Sequence, residues 1–389
     1  MDAMARHRRV WNFFYRPMYF WMRRKFNFTP EICRVEGPCL VIPNHVTSWD
    51  PILVAMSFPD KPIYYVASEH IFRKGLLTKL LDWAISPIPR KKGASGADTV
   101  MTIMRRVRKG ASIGLFAEGD ATWDGRSAKI FPATGKLARS CGATLITYRI
   151  EGGHLTLPRW GKGVRKGKMR GHVVGVYPPE QLKAMKPDEV LNIINRDIYE
   201  DAWERQETEP VRYLSKAPAA NMETLLYLCP ECGGLGTLSS EGAFVRCTCG
   251  FKRRFTETGV FEPAAPFENP GAWDLWQREK LAERQPDENG VLFCDTEMEL
   301  YEVLPEHKTV FLGTGELCQR EDELICCGRH FPMRDVEGMA IYTAQTLVFS
   351  CGAHYYEIKS KKIRCARKYL DYRALVLQRN AAEKQGSSL

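Results

Sequence analysis

Nowhere in the 389 residues is there a run of about eighteen uncharged apolar side chains, so no segment is predicted to cross a bilayer as a helix. The N-terminus also lacks the compact apolar core and small-residue cleavage site of a secretory signal. The expectation is therefore a cytoplasmic protein, peripheral on the inner face of the membrane. Acidic residues are in deficit, 46 against 56 Lys and Arg, for a net charge of +10. That balance points to an acidic partner, whether nucleic acid, an anionic membrane surface or a phosphorylated substrate. The thirteen cysteines are odd in number and unevenly spread, which speaks against a disulfide framework and for reduced thiols with a metal site. What remains, 44% hydrophobic and 26% charged residues, suits a soluble globular chain of two or three domains.

With eight histidines in all, one placement stands out. Asn44-His45-Val46-Thr47-Ser48-Trp49-Asp50 follows the apolar run Cys39 to Pro43. A histidine whose ring is held by a carboxylate five positions on, where a buried strand gives way to a helix, is suited to taking a proton from a hydroxyl. Asp50-Pro51 opens that helix, predicted through Phe58.

Around it the chain alternates. Gly37–Pro43, Ile63–Ala67, Ser112–Ala117 and Thr144–Ile150 are expected as strands, with a short one at Ser86–Pro89. Glu69–Trp83, Thr99–Lys109, Lys129–Ser140 and Asp188–Gln206 are expected as helices. Strand and helix in turn predict an α/β domain with a mostly parallel sheet flanked by helices, its functional residues at strand ends. The stripe within Glu69–Trp83 is either core or the floor of a lipid-chain groove. Arg90-Lys91-Lys92-Gly93 is a basic turn that could receive a phosphate or be a solvated charge run. Arg159 to Arg170 is a cationic loop, suited either to anionic head groups or donor phosphates, or simply solvated.

The first segment, residues 1–35, interleaves Trp11, Phe13, Phe14, Tyr15, Tyr19, Phe20 and Trp21 with arginines and Lys25. It reads as an interfacial membrane-binding helix or as a helix packing its aromatic face on the core. Arg16-Pro17 argues against spanning.

Residues from about 36 to 200 resemble the glycerolipid acyltransferase family typified by 1-acylglycerol-3-phosphate O-acyltransferases. The resemblance rests on Asn44-His45 with Asp50, on Tyr65 to Phe72, on Ile88-Pro89-Arg90, and on Phe116-Ala117-Glu118-Gly119, similar to the family's Phe-Pro-Glu-Gly block. Thr147 to Gly153 corresponds loosely to the last block. It implies an acyltransferase domain over 36–215, with His45 as general base and Asp50 orienting it. Asn44, Arg90, Glu118 and Gly119 would then position the acceptor, Glu118 by organising its turn. The acyl donor would be an acyl-CoA or acyl-carrier protein, and the acceptor a lysophospholipid, 1-acylglycerol-3-phosphate by family analogy. The chain departs from the family at Asp120-Ala121-Thr122, where Thr-Arg-Ser is customary. A lost cation and a gained acid weaken binding of a phosphomonoester. Either Arg126 or Lys136 compensates, or the acceptor differs. A second reading is a catalytically silent module that recognises anionic lipid or, through the basic loops, nucleic acid; nucleic acid is not expected as a partner of the enzyme.

Past a linker at Lys216–Ala220, Cys229-Pro230-Glu231-Cys232-Gly233 is answered by Cys247-Thr248-Cys249-Gly250. The spacing resembles a zinc ribbon, placed over 216–262, with Cys229, Cys232, Cys247 and Cys249 holding a structural Zn2+. A helix from Trp273 and several short alternating runs, closed by a helix over Arg364–Gln378, resemble a small β-barrel of the pleckstrin-homology (PH) type over 263–389. Such a domain could bind a lipid head group, a carrier protein or its own acyltransferase domain. Cys294, Cys318, Cys326, Cys327, Cys351 and Cys365 are expected there as small buried residues.

Overall fold

Cys39–Pro43 is buried at all five positions, the pattern of a strand covered on both faces. In the computed structural model, which describes residues 3–68, 83–90, 96–304, 308–343 and 345–386, this strand is the middle of a seven-stranded sheet. The strands are β1 (Phe28–Pro30), β2 (Cys39–Pro43), β3 (Ile63–Ser68), β4 (Ile88–Arg90), β5 (Ser112–Gly114), β6 (Thr144–Glu151) and β7 (Met169–Tyr177). Their spatial order is β1-β7-β6-β2-β5-β3-β4. Every pair is parallel except β6 with β7.

Alternation along β2 divides the core. Leu40 and Ile42 join a cluster that includes Ile103 and Val107 of α3 (Gly96–Arg108), Leu137 and Ala138 of α4 (Ala133–Ser140), and Val190 and Ile194 of α5 (Pro187–Ile198). Cys39 and Val41 face the other way, with Met22 and Phe26 of α1 (Ala3–Phe26) and Leu53 and Val54 of α2 (Asp50–Ala55). The result is a helix–sheet–helix sandwich.

Of the two uses foreseen for the aromatic N-terminus, packing on the core is seen on one face of α1, and other aromatics of the helix stay exposed. Trp11, Tyr15, Met18 and Tyr19 pack on the core, and the Trp11 indole and Tyr15 hydroxyl donate to the carbonyls of Phe58 and Met56. Phe13 and Phe20 stay 74% and 67% exposed, and Phe14 and Trp21 are exposed beside them. No helix among the described residues is long and apolar enough to cross a membrane.

Two expectations are corrected in this unit. The helix predicted over Asp188–Gln206 is two, α5 and α6 (Ala202–Thr208). Asp201 interrupts it by accepting from the Trp203 and Glu204 N–H groups as the cap of α6. The end of the cationic loop is a strand: β7 pairs antiparallel with β6, Tyr148 opposite Val173. The helix expected at Glu69–Trp83 and the basic turn Lys91–Gly93 lie largely outside the described residues, as does the side chain of Arg90 at the end of β4.

The chain divides into two compact units, Met1–Arg159 with Gly163–Ser215, and Trp160–Lys162 with Lys216–Leu389. The second contains a four-stranded antiparallel sheet of β8 (Leu238–Glu241), β9 (Phe244–Cys247), β10 (Lys252–Phe255) and β11 (Phe261–Glu262). After helix α7 (Pro270–Ala282) comes a seven-stranded antiparallel sheet: β12 (Val291–Val303), β13 (Thr309–Arg320), β14 (Glu323–Cys326), β15 (Arg329–Pro332), β16 (Val336–Tyr342), β17 (Thr346–Cys351) and β18 (His354–Ser360). Its order, β15-β14-β13-β12-β18-β17-β16, pairs the first strand with the last and leaves β15 and β16 at the two ends. Helix α8 (Arg367–Gly386) follows. The cysteines here correct the sequence reading. Cys294 is exposed and forms a disulfide with Cys318, its partner directly across the β12–β13 ladder. Cys327 and Cys351 are half-buried, whereas Cys326 and Cys365 are buried as expected.

Candidate active site

Parallel strands deliver their C-terminal ends to one edge of a sheet. In the β2–β5 ladder Val41 stands opposite Gly114, and the Leu115 N–H extends it by donating to the Val41 carbonyl. Four residues beyond each of those positions lie His45 and Glu118. Glu118 Oε1 accepts the His45 backbone N–H at 2.7 Å and Oε2 accepts that of Ala128 at 2.6 Å. Glu118 thus organises the turn, with Gly119 at φ +83°, a conformation that favours glycine. Burial pushes the Glu118 carboxyl up to about 7, outweighing those two N–H groups, which favour its charged form.

The His45 ring is held independently of its backbone. Nδ1 lies 2.8 Å from Asp50 Oδ2, and the imidazole packs at 4.4 Å, centroid to centroid, on Phe116. Its side chain is 19% exposed, while Asp50 is fully buried. Asp50 Oδ2 also accepts the Val46 and Thr47 N–H groups at 2.6 and 2.9 Å, and Oδ1 accepts the Thr47 hydroxyl at 2.6 Å. Four donors around one carboxylate, at the N-terminus of α2, offset the cost of burying its charge. The Thr122 N–H donates to the His45 carbonyl at 2.9 Å, so the chain after Gly119 stays beside the histidine.

The other candidate residues divide. Asn44 is fully buried, and its amide exchanges two hydrogen bonds with the backbone of Ile150 in β6, at 2.9 and 2.7 Å. Its place is thus to clamp β2 to β6 beneath His45. Arg126 forms an ion pair with Asp201 at 2.8 Å, and Lys136 is exposed on α4. Three contacts at the site were not foreseen from the sequence: the Thr47 hydroxyl on Asp50, the Phe116 ring on His45 and the Arg159 guanidinium at the Asp120 turn. Thr47 carries a legible signal, a hydroxyl residue three positions before an acid at a helix start. Arg159 is legible only as the start of the cationic loop, because nothing local ties it to a turn nearly forty residues earlier.

Cationic side chains converge at the far end of α1. Arg24, Lys25, Lys166, Lys168 and Arg212 line a cavity of about 480 Å³, and Lys25 and Trp21 both contact Trp49 of the histidine segment.

In the second unit the sulfurs of Cys229, Cys232, Cys247 and Cys249 all lie within 4.8 Å of one another. Cys229 and Cys249 are 3.8 Å apart, Cys232 and Cys247 3.7 Å. A tetrahedron of sulfurs about 2.3 Å from a central metal has edges of about 3.8 Å, so the four thiols could hold a metal ion. The Gly234 N–H and Thr237 hydroxyl reach two of the sulfurs, the supporting contacts that metal-bound thiolates use.

Residues 25–151 match the family model described as Acyltransferase, a stretch that contains His45, Asp50, Glu118 and Gly119. Among solved structures, the chain is similar to the 1-acyl-sn-glycerophosphate (LPA) acyltransferase PlsC from Thermotoga maritima. The two share 15% identity and a TM-score of 0.38 over 48% of this chain and 77% of that one.

Proposed function

We propose that the first unit transfers a fatty acyl group from an acyl thioester, an acyl-CoA or acyl-carrier protein, to a hydroxyl of a lysophospholipid. The observation that carries this reading is the His45–Asp50 pair. With Nδ1 committed to Asp50, Nε2 is the nitrogen that accepts the acceptor's proton. As the hydroxyl oxygen bonds to the thioester carbonyl carbon, its proton passes to Nε2, and buried Asp50 stabilises the imidazolium. Collapse of the tetrahedral intermediate breaks the carbon–sulfur bond, and the departing thiolate takes the proton back. The hydroxyl attacks directly, so no acyl-enzyme forms.

α1 lies in the membrane interface, on the inner face, with Phe13, Phe14, Phe20 and Trp21 at head-group depth and the cationic cavity turned to anionic lipid. In the second unit Cys229, Cys232, Cys247 and Cys249 hold a zinc ion. Four thiolates leave no open coordination position, so its role is structural. The larger sheet and α8 form a PH-like docking domain. The pairing of its first strand with its last, followed by a C-terminal helix, supports that assignment.

The test is release of free thiol from palmitoyl-CoA in the presence of vesicles and a lysophospholipid. His45→Ala lowers the rate by about 10²–10⁴-fold, the worth of a positioned base. Asp50→Asn lowers it to a similar extent by upsetting the ring's tautomer. Circular dichroism and vesicle binding of His45→Ala match the parent. Undiminished thiol release from His45→Ala removes the proposed base.

A further inference from the structure

Resting on that acyl-transfer reading, we infer that Asp120 and Arg159 together read the acceptor's head group and favour a phosphodiester bearing an ammonium over a phosphomonoester. Arg159 comes from beyond β6, yet its guanidinium lies against the turn that carries Asp120. Nη1 is 2.5 Å from Asp120 Oδ2 and donates to the Ala121 carbonyl at 3.1 Å. The guanidinium carbon sits 4.3 Å from the centroid of the Trp123 ring. The Arg159 side chain is only 11% exposed, that of Asp120 53%. The cation is thus largely buried against the turn while its acidic partner is half exposed. The same segment is bonded to the His45 backbone through the Thr122 N–H, which ties this turn to the histidine segment.

The chemistry of such a pair is selective. A phosphomonoester carries nearly two negative charges at neutral pH, and beside Arg159 it would also meet the Asp120 carboxylate, a like charge. A phosphodiester carries one. If its alcohol bears an ammonium, phosphate and ammonium each find an opposite charge.

The experiment compares kcat/KM for thiol release by the full chain with four 1-acyl acceptors: the phosphomonoester, and the phosphoethanolamine, phosphocholine and phosphoglycerol diesters. The parent uses the two ammonium-bearing head groups about tenfold better than the monoester, the size of one exposed charge contact. Asp120→Asn, which keeps an oxygen for the Ala121 N–H, erases the difference chiefly by improving the monoester. Arg159→Gln raises KM for every acceptor more than it lowers kcat, and Arg159→Lys recovers part of the loss. The inference is overturned by a parent preference for the monoester, by equal use of phosphoglycerol and the ammonium-bearing heads, or by an unchanged ratio in Asp120→Asn. Each of those outcomes leaves acyl transfer standing. Absence of thiol release with all four acceptors removes acyl transfer and this inference together.

Discussion

The Lys25 ammonium sits 3.8 Å from the centroid of the Trp49 ring, one residue before the aspartate that holds His45. Trp21 and Phe26 of the same helix also pack on that indole, at 5.3 and 5.7 Å between centroids. The helix that presents exposed aromatics is therefore bonded directly to the histidine segment. Under the proposed function, a membrane-bound acceptor and the base would meet on one stretch of chain.

Phe20 contributes to the exposed face and not to the core, so Phe20→Ser separates membrane binding from folding. It weakens partition onto anionic vesicles several-fold, while stability changes by no more than about 0.5 kcal/mol, as for surface substitutions generally. Sedimentation with vesicles and a urea titration check the two halves. Unchanged partition would take α1 out of the interface.

Glu118 makes stability depend on pH. Its folded pKa, about 7, lies above the usual carboxyl value of 4.5, so the folded state holds the proton more tightly than the unfolded one. The group's favourable contribution is complete below about pH 4.5 and is lost as pH rises to about 7, by roughly 3 kcal/mol at most. Denaturation midpoints measured across that window fall with pH in the parent by this amount more than in Glu118→Gln. On top of that changing difference the variant carries a pH-independent loss, because the single amide oxygen of glutamine cannot accept from both the His45 and Ala128 N–H groups. Parallel profiles would place the Glu118 pKa at its ordinary value.

Metal removal acts on the second unit. Trp273 donates its indole N–H to the Leu228 carbonyl at 2.9 Å, next to Cys229, so the packing around that tryptophan depends on the cysteine knuckle. The expected outcome of elemental analysis on the purified chain is one zinc per molecule. A strong chelator or Cys232→Ser opens residues 216–262 to proteolysis while His45-dependent thiol release continues. Protease resistance in metal-free protein would argue that packing alone holds the knuckle.

The elements legible in the sequence were those set by near neighbours. His45 and Asp50 are five residues apart, within reach across one turn, and the four cysteines come in two tight pairs. The buried strands announced themselves as apolar runs. Less visible was β7, because its partly exposed, alternating residues follow a glycine-rich cationic loop. The break at Asp201 was hidden because helical periodicity persists on both sides of it. Asn44 looked available to a substrate, yet the β2–β6 register occupies both ends of its amide with Ile150.

What the sequence by itself determined is the alternation of strand and helix, the histidine–aspartate pair, the cysteine knuckles and the amphipathic N-terminus. Each follows from side-chain chemistry over a few adjacent residues. Only the tertiary structure decided that Glu118 holds the His45 backbone, that Arg159 stands at the Asp120 turn, and that Cys294 meets Cys318. Those meetings depend on which strands pair and in what register, and the pairing is set by burial of the whole sheet.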